Sequence, residues 1–158
     1  MMSRTREAAV WQRVLAASEE APAPKPAAGG FTPAQVMDLL EDELQDANTY
    51  LALARRARRE IRQSLLQLSQ EEQQHARRLE TVYFLMTGRR PEPKRPAMPD
   101  VGNVMEALRT RYQGEVAGAA QYRRLAEQAD SFGPVLQELG SDEARHAQMV
   151  LRLLQRSL

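Results

Sequence analysis

Two short runs, Glu72-x-x-His75 and Glu143-x-x-His146, contain the only two histidines of the chain. On a helix, residues three apart project from one face, so each run offers one carboxylate oxygen and one imidazole nitrogen to a common point. Glu43 and Glu115 recur in the same rhythm on two other helical segments. Each of these acids and histidines falls inside an apolar stripe read at steps of three and four. The stripes are Val36, Leu40, Glu43, Ala47, Tyr50, Ala54; Leu65, Leu68, Glu72, His75, Leu79, Val82; and Leu136, Leu139, Glu143, His146, Val150, Leu153. A fourth stripe holds Val104, Leu108, Arg111, Glu115, Gly118, Tyr122 and Leu125, in which Arg111 fits poorly and is expected to snorkel or pair. Four carboxylates confined among apolar side chains cost several kcal/mol each unless something neutralises them, and two divalent cations would do so.

The donor set narrows the metal. The chain has no cysteine, which excludes disulfides, thiolate metal sites, iron-sulfur clusters and a thiol nucleophile within it. One Glu from each of two helices with a Glu-x-x-His from each of the other two is the ligand pattern of di-iron and di-manganese carboxylate bundles. Oxygen with imidazole suits iron, with manganese possible, and zinc or cobalt can occupy such a site in vitro. Tyr50 and Tyr122 follow Glu43 and Glu115 by seven residues, two helical turns, and each is placed to hydrogen-bond a ligating carboxylate and fix its orientation. Tyr83 and Tyr112 read as structural.

The elements that must position these residues are helices. Thr32 as a cap and Pro33 at the first helical position open a helix over about 33–58. A second runs over about 61–87 and stops at Gly88; prolines at 91, 93, 96 and 99 keep the next stretch non-helical. Helices over about 102–129 and 133–156 follow, separated by a short turn through Asp130 to Pro134. The proline-rich link, about 14 residues at roughly 3.1 Å each, spans about 43 Å and so can cross a helix of about 37 Å. The fold expected is all-α: a ferritin-like antiparallel four-helix bundle with one long crossover and an extra N-terminal helix.

The two hairpins look like copies. A shift of 72 residues carries Glu43, Ala47, Tyr50, Leu53, Ala54 and Ala57 onto Glu115, Ala119, Tyr122, Leu125, Ala126 and Ala129. A shift of 71 carries Leu65, Leu68, Glu72, His75 and Ala76 onto Leu136, Leu139, Glu143, His146 and Ala147. Duplication of one helical hairpin is the simplest source of both registers.

At these residues the chain resembles the rubrerythrin and ferritin-like superfamily, through Glu43-x6-Tyr50, Glu72-x-x-His75, Glu115-x6-Tyr122 and Glu143-x-x-His146, over about residues 33–156. The resemblance implies that Glu72 and Glu143 bridge two metals, that Glu43 and Glu115 are terminal carboxylates, and that His75 and His146 are terminal nitrogens. The chain departs from the family at Gly118, where rubrerythrins carry a further glutamate, and in lacking a cysteine-ligated rubredoxin domain.

The chain length of 158 residues suits one domain, expected over 31–158, preceded by residues 1–30. That first part reads as an amphipathic segment with Val10, Trp11, Val14 and Leu15 on one face, then a Pro/Ala/Gly linker, available for docking on the bundle, on a second copy or on another protein. A net charge of +1 gives no general attraction to nucleic acid or anionic membrane, and the arginine run 55–62 reads as a solvated helix end. No stretch approaches the roughly 20 apolar residues of a membrane span, so a cytoplasmic protein is expected. The function expected is redox chemistry at a diferrous pair, with metals about 3.5–4 Å apart giving two electrons to O2 or hydrogen peroxide. An external donor would re-reduce the site, and a homo-oligomer, dimer or larger, is expected. Ferroxidase-linked iron storage, which needs a closed cage, and a non-enzymatic helical interaction module are the alternatives.

Overall fold

Apolar stripes that run through each helix collapse onto one another, and among the described residues the outcome is all-α, four helices packed as two hairpins. The structure, a computed structural model, describes residues 30–157; the amphipathic segment and linker expected over residues 1–30 lie, but for Gly30, outside the described residues. Helices α1 (Pro33–Arg56) and α2 (Arg59–Thr87) pair tightly, as do α3 (Val104–Ala126) and α4 (Gly133–Arg156). No strand occurs among the described residues. No helix among them is long and apolar enough to cross a membrane.

Local signals set the helix ends. Thr32 accepts from the Gln35 amide at 3.3 Å while the Gln35 side chain accepts from the Thr32 amide at 2.9 Å, a reciprocal cap that starts α1 with Pro33 in its first turn. Asn103 caps α3 by accepting from the Glu106 amide at 3.1 Å, which moves the start of that helix from the expected 102 to Val104. Gly88 ends α2 at φ +68°, a left-handed cap that glycine adopts without Cβ strain. The third helix ends at Ala126 rather than 129, and a 3-10 turn over Asp130–Phe132 leads into α4. Between α1 and α2, Arg62 donates to the carbonyls of Ala54 and Ala57 at 3.1 Å each, so this arginine of the 55–62 run closes the turn.

Two apolar clusters flank a polar layer. One gathers Val36, Leu40, Leu79, Val82, Tyr122, Leu136 and Leu139; the other gathers Tyr50, Leu53, Leu65, Leu68, Leu108, Val150 and Leu153. Each helix passes from one cluster to the other, and between them it carries Glu43, Glu72 with His75, Glu115, or Glu143 with His146. The stretch 88–103 joins the hairpins and is fastened along α1. There the Lys94 amide donates to Glu41 at 2.8 Å, Asn48 donates to the Pro96 carbonyl at 2.9 Å, and Arg56 pairs with Asp100 at 3.8 Å.

Candidate metal centre

All six residues singled out by spacing meet in the polar layer. Glu43, Glu72, His75, Glu115, Glu143 and His146 are buried, each at 5 % exposure or less. Glu72 divides its oxygens between the histidines, Oε1 at 3.0 Å from His146 Nδ1 and Oε2 at 3.0 Å from His75 Nδ1. Glu143 Oε1 lies 2.9 Å from His75 Nδ1 and 3.9 Å from His146 Nδ1. Glu43 Oε2 approaches His75 Nδ1 at 3.4 Å, whereas Glu115 Oε2 approaches His146 Nδ1 at 3.8 Å. The layer therefore has two ends, Glu43 with His75 and Glu115 with His146, and Glu72 and Glu143 lie between them.

These short separations are not hydrogen bonds. Glu43 Oε2, both oxygens of Glu72, His75 Nδ1, Glu115 Oε2, Glu143 Oε1 and His146 Nδ1 are all buried and lack a directional partner. One atom of each of Glu72, His75, Glu143 and His146 falls within 4.8 Å of the others. Buried polar atoms are almost always satisfied, so seven unpartnered lone-pair atoms turned on one small volume need a common explanation. Hard oxygen and imidazole nitrogen converging in this way fit divalent metal ions.

Electrostatics of the protein atoms alone points the same way. Burial pushes Glu43 up to about 8, against the opposing influence of the adjacent His75, with the nearby Glu72 charge adding to the rise. Burial likewise carries Glu115 up to about 8, reinforced by Glu143, and raises Glu143 as well. Glu72 goes down despite its burial because both imidazoles lie against its oxygens. The same carboxylates outweigh burial at the imidazoles and raise His75 strongly and His146 to about 9. Without a cation the raised groups hold protons, and a cation would replace them.

Each carboxylate end is held from the opposite hairpin. Tyr50 of α1 donates to Glu115 Oε1 of α3, and Tyr122 of α3 donates to Glu43 Oε1 of α1, both as very short contacts. Burial keeps both phenols protonated, well above the usual tyrosine range, so they act as donors. Spacing along one helix singled out these tyrosines; that each reaches the other hairpin's carboxylate is set by packing.

Sequence reasoning missed three partners. His146 Nε2 meets Glu71 Oε2 at 2.7 Å and His75 Nε2 meets Asp142 Oδ2 at 3.3 Å, which orients each ring with Nδ1 toward the layer. An acid directly before each Glu-x-x-His, Glu71 and Asp142, was the available signal. Asp46 is the third: it forms a two-pronged ion pair with Arg111 at 2.7 and 2.6 Å. Arg111, the misfit of its stripe, thus pairs rather than snorkels, and it also donates to Glu115 Oε1 at 3.1 Å. Burial raises Asp46 to about 7 even beside that guanidinium.

A cavity of about 260 Å³ opens between α1 and α3 and is lined by Glu43, Asp46, Arg111, Gly114, Gly118 and Glu143. A Cβ at Gly118 would come within 3.2 Å of Glu143 Oε2, so the glycine preserves both the cavity and the carboxylate position. The cavity also accounts for the half-burial of Arg111 and Gly118 in the α3 stripe.

No curated protein and no solved structure gives a significant match to the chain. Residues 40–100, which carry Glu43, Tyr50, Glu72 and His75, match the family model described as Rubrerythrin.

Proposed function

We propose that Glu43, Glu72, His75, Glu115, Glu143 and His146 hold two iron ions, and that the protein is a di-iron carboxylate redox protein that oxidises Fe(II) with O2 or hydrogen peroxide. The observation that carries this reading is the set of seven unpartnered, buried donor atoms on six residues of four helices. In the same reading the fold is a ferritin-like bundle over 31–158 built from a repeated hairpin. Supporting it, α2 and α3 pass between the two apolar clusters in the same order, so residues 88–103 must return along the bundle as one long crossover.

Iron, when bound, supplies the two electrons that take a peroxide to water. The protein's part is to bind, orient and exclude. Glu72 and Glu143 stand between the two histidines and are placed to bridge, whereas Glu43 and Glu115 each serve one end. Tyr50 and Tyr122 keep their protons and hold the outer oxygen of Glu115 and of Glu43, leaving Oε2 of each free to coordinate. The two apolar clusters keep water from the ends of the layer, and the cavity over Gly118 gives a small oxidant a route to the Glu43 and Glu143 side. Re-reduction would come from an external electron donor.

Anaerobic loading with Fe(II) followed by elemental analysis tests the reading. Two irons per chain and an optical change on adding peroxide are expected, and Glu72→Ala or Glu143→Ala should abolish both. A mutant that still takes up two irons would refute the assignment.

A further inference from the structure

The outward edges of the two histidines are joined through a single surface guanidinium. Arg145 donates through one nitrogen to Glu71 Oε2 at 2.7 Å and to Asp142 Oδ1 at 3.1 Å. Those carboxylates in turn receive His146 Nε2 at 2.7 Å and His75 Nε2 at 3.3 Å. An unbroken path therefore runs His75, Asp142, Arg145, Glu71, His146 across the α2 and α4 face. The two rings it connects are stacked, with centroids 5.2 Å apart and planes 19° from parallel.

We propose that Arg145 is a positioning residue for both histidines at once, locking the orientation of the two imidazoles, and so of their inward Nδ1 atoms, through Glu71 and Asp142. The inference rests on the di-metal reading, because it assigns the Nδ1 atoms to metal ions. An ionised carboxylate can only accept, so a hydrogen bond to it fixes the proton on Nε2 and leaves the Nδ1 lone pair for a metal. Donors converge on Glu71, Gln67 on Oε1 at 2.8 Å and Arg145 and His146 on Oε2 at 2.7 Å each, so this carboxylate serves as an acceptor. Asp142 is 35 % exposed and would have several rotamers open to it without a partner. Arg145 is itself 45 % exposed, so its ion pairs add little to folding. Their consequence is geometric.

Two comparisons within the molecule isolate the role. The shift of 71 that relates the Glu-x-x-His runs places Gln74 where Arg145 stands, so the first hairpin has no equivalent cation and one residue serves both rings. Arg78 also bridges α2 and α4 on this face, through Glu138, yet that pair includes no histidine partner. It is the natural control.

The test uses Co(II) as probe in the full chain, with Arg145→Ala, Arg145→Lys and Arg78→Ala. Arg145→Ala should bind Co(II) about tenfold more weakly. The paramagnetically shifted imidazole N–H signals of both histidines should exchange faster with solvent in the same variant. Arg145→Lys should recover part of both effects, while Arg78→Ala should match the unmodified protein in affinity and N–H lifetime. Thermal unfolding of the metal-free Arg145 and Arg78 variants shows that both fold. The inference is overturned if Arg145→Ala binds Co(II) normally, or if only one histidine responds. If the unmodified protein bound no Co(II), the di-metal reading itself would fail, which is a separate result.

Discussion

The Glu115 end and the Glu43 end of the polar layer share the same Glu-x6-Tyr spacing and are supported differently. Each carboxylate receives a tyrosine from the opposite hairpin. Four residues before Glu115 stands Arg111, which adds a second hydrogen bond and carries the Asp46 ion pair; four residues before Glu43 stands Leu39, which joins an apolar cluster. Three residues after, the order reverses, with Asp46 following Glu43 and Gly118 following Glu115. Both hairpins thus carry the same donor set, and differences at two positions brace the Glu115 end and leave a cavity beside Glu43 and Glu143. Two metals bound here would not be equivalent.

The largest test of that difference is to make the ends alike. Arg111→Leu copies Leu39 and leaves Asp46 without its partner. Losing one member of a fully buried pair costs about 3–5 kcal/mol, and with Asp46 23 % exposed a loss of about 2 kcal/mol is expected in chemical denaturation. Adding Asp46→Leu should return most of it, the coupling being read from the double-mutant cycle.

A smaller effect separates the tyrosines. Tyr122→Phe removes the hydrogen bond to Glu43 Oε1. We expect about tenfold weaker metal binding at that end, measured by stepwise Co(II) titration. Tyr50→Phe leaves Arg111 on Glu115 and should cost only about threefold. Equal losses would show that the two ends are alike after all.

The gentlest effect is with pH, and its sign distinguishes a layer holding protons from one holding cations. Glu43 and Glu115 at about 8 and His146 at about 9 lie above their ordinary values. Stability they contribute is complete below the unfolded values, 4.5 for the acids and 6.5 for the imidazole, and is lost as pH rises through 8 and 9. Glu72, lowered, acts only on the acid side of that window. The Tm of the metal-free protein should therefore fall between pH 6.5 and 9, whereas that of the metal-loaded protein should hold level or rise, because metal binding releases these protons.

What could be read in the sequence followed one-helix geometry. Period and spacing located the buried stripes of α1, α2 and α4 residue for residue and gathered all six candidate ligands into one layer. Capping chemistry located the start of α1, whereas α3 starts two residues later than periodicity implied, because Asn103 takes the cap. What stayed hidden was pairing between helices. Glu71 precedes His75 by one turn and yet serves His146, and Tyr50 follows Glu43 by two turns and yet serves Glu115. Those choices depend on how the hairpins face each other, which spacing along one chain does not encode. Arg111 is the intermediate case: its misfit was visible, its partner was not.

Residues 88–103 do more than cover distance. A slack tether of that length would let the second hairpin explore a large volume around the first, and closure entropy changes only slowly with length. Held to Glu41, Asn48 and Arg56, the segment instead delivers the second hairpin at high effective concentration and in one direction along α1. Meeting of the two acidic halves then becomes an intramolecular event with little left to search.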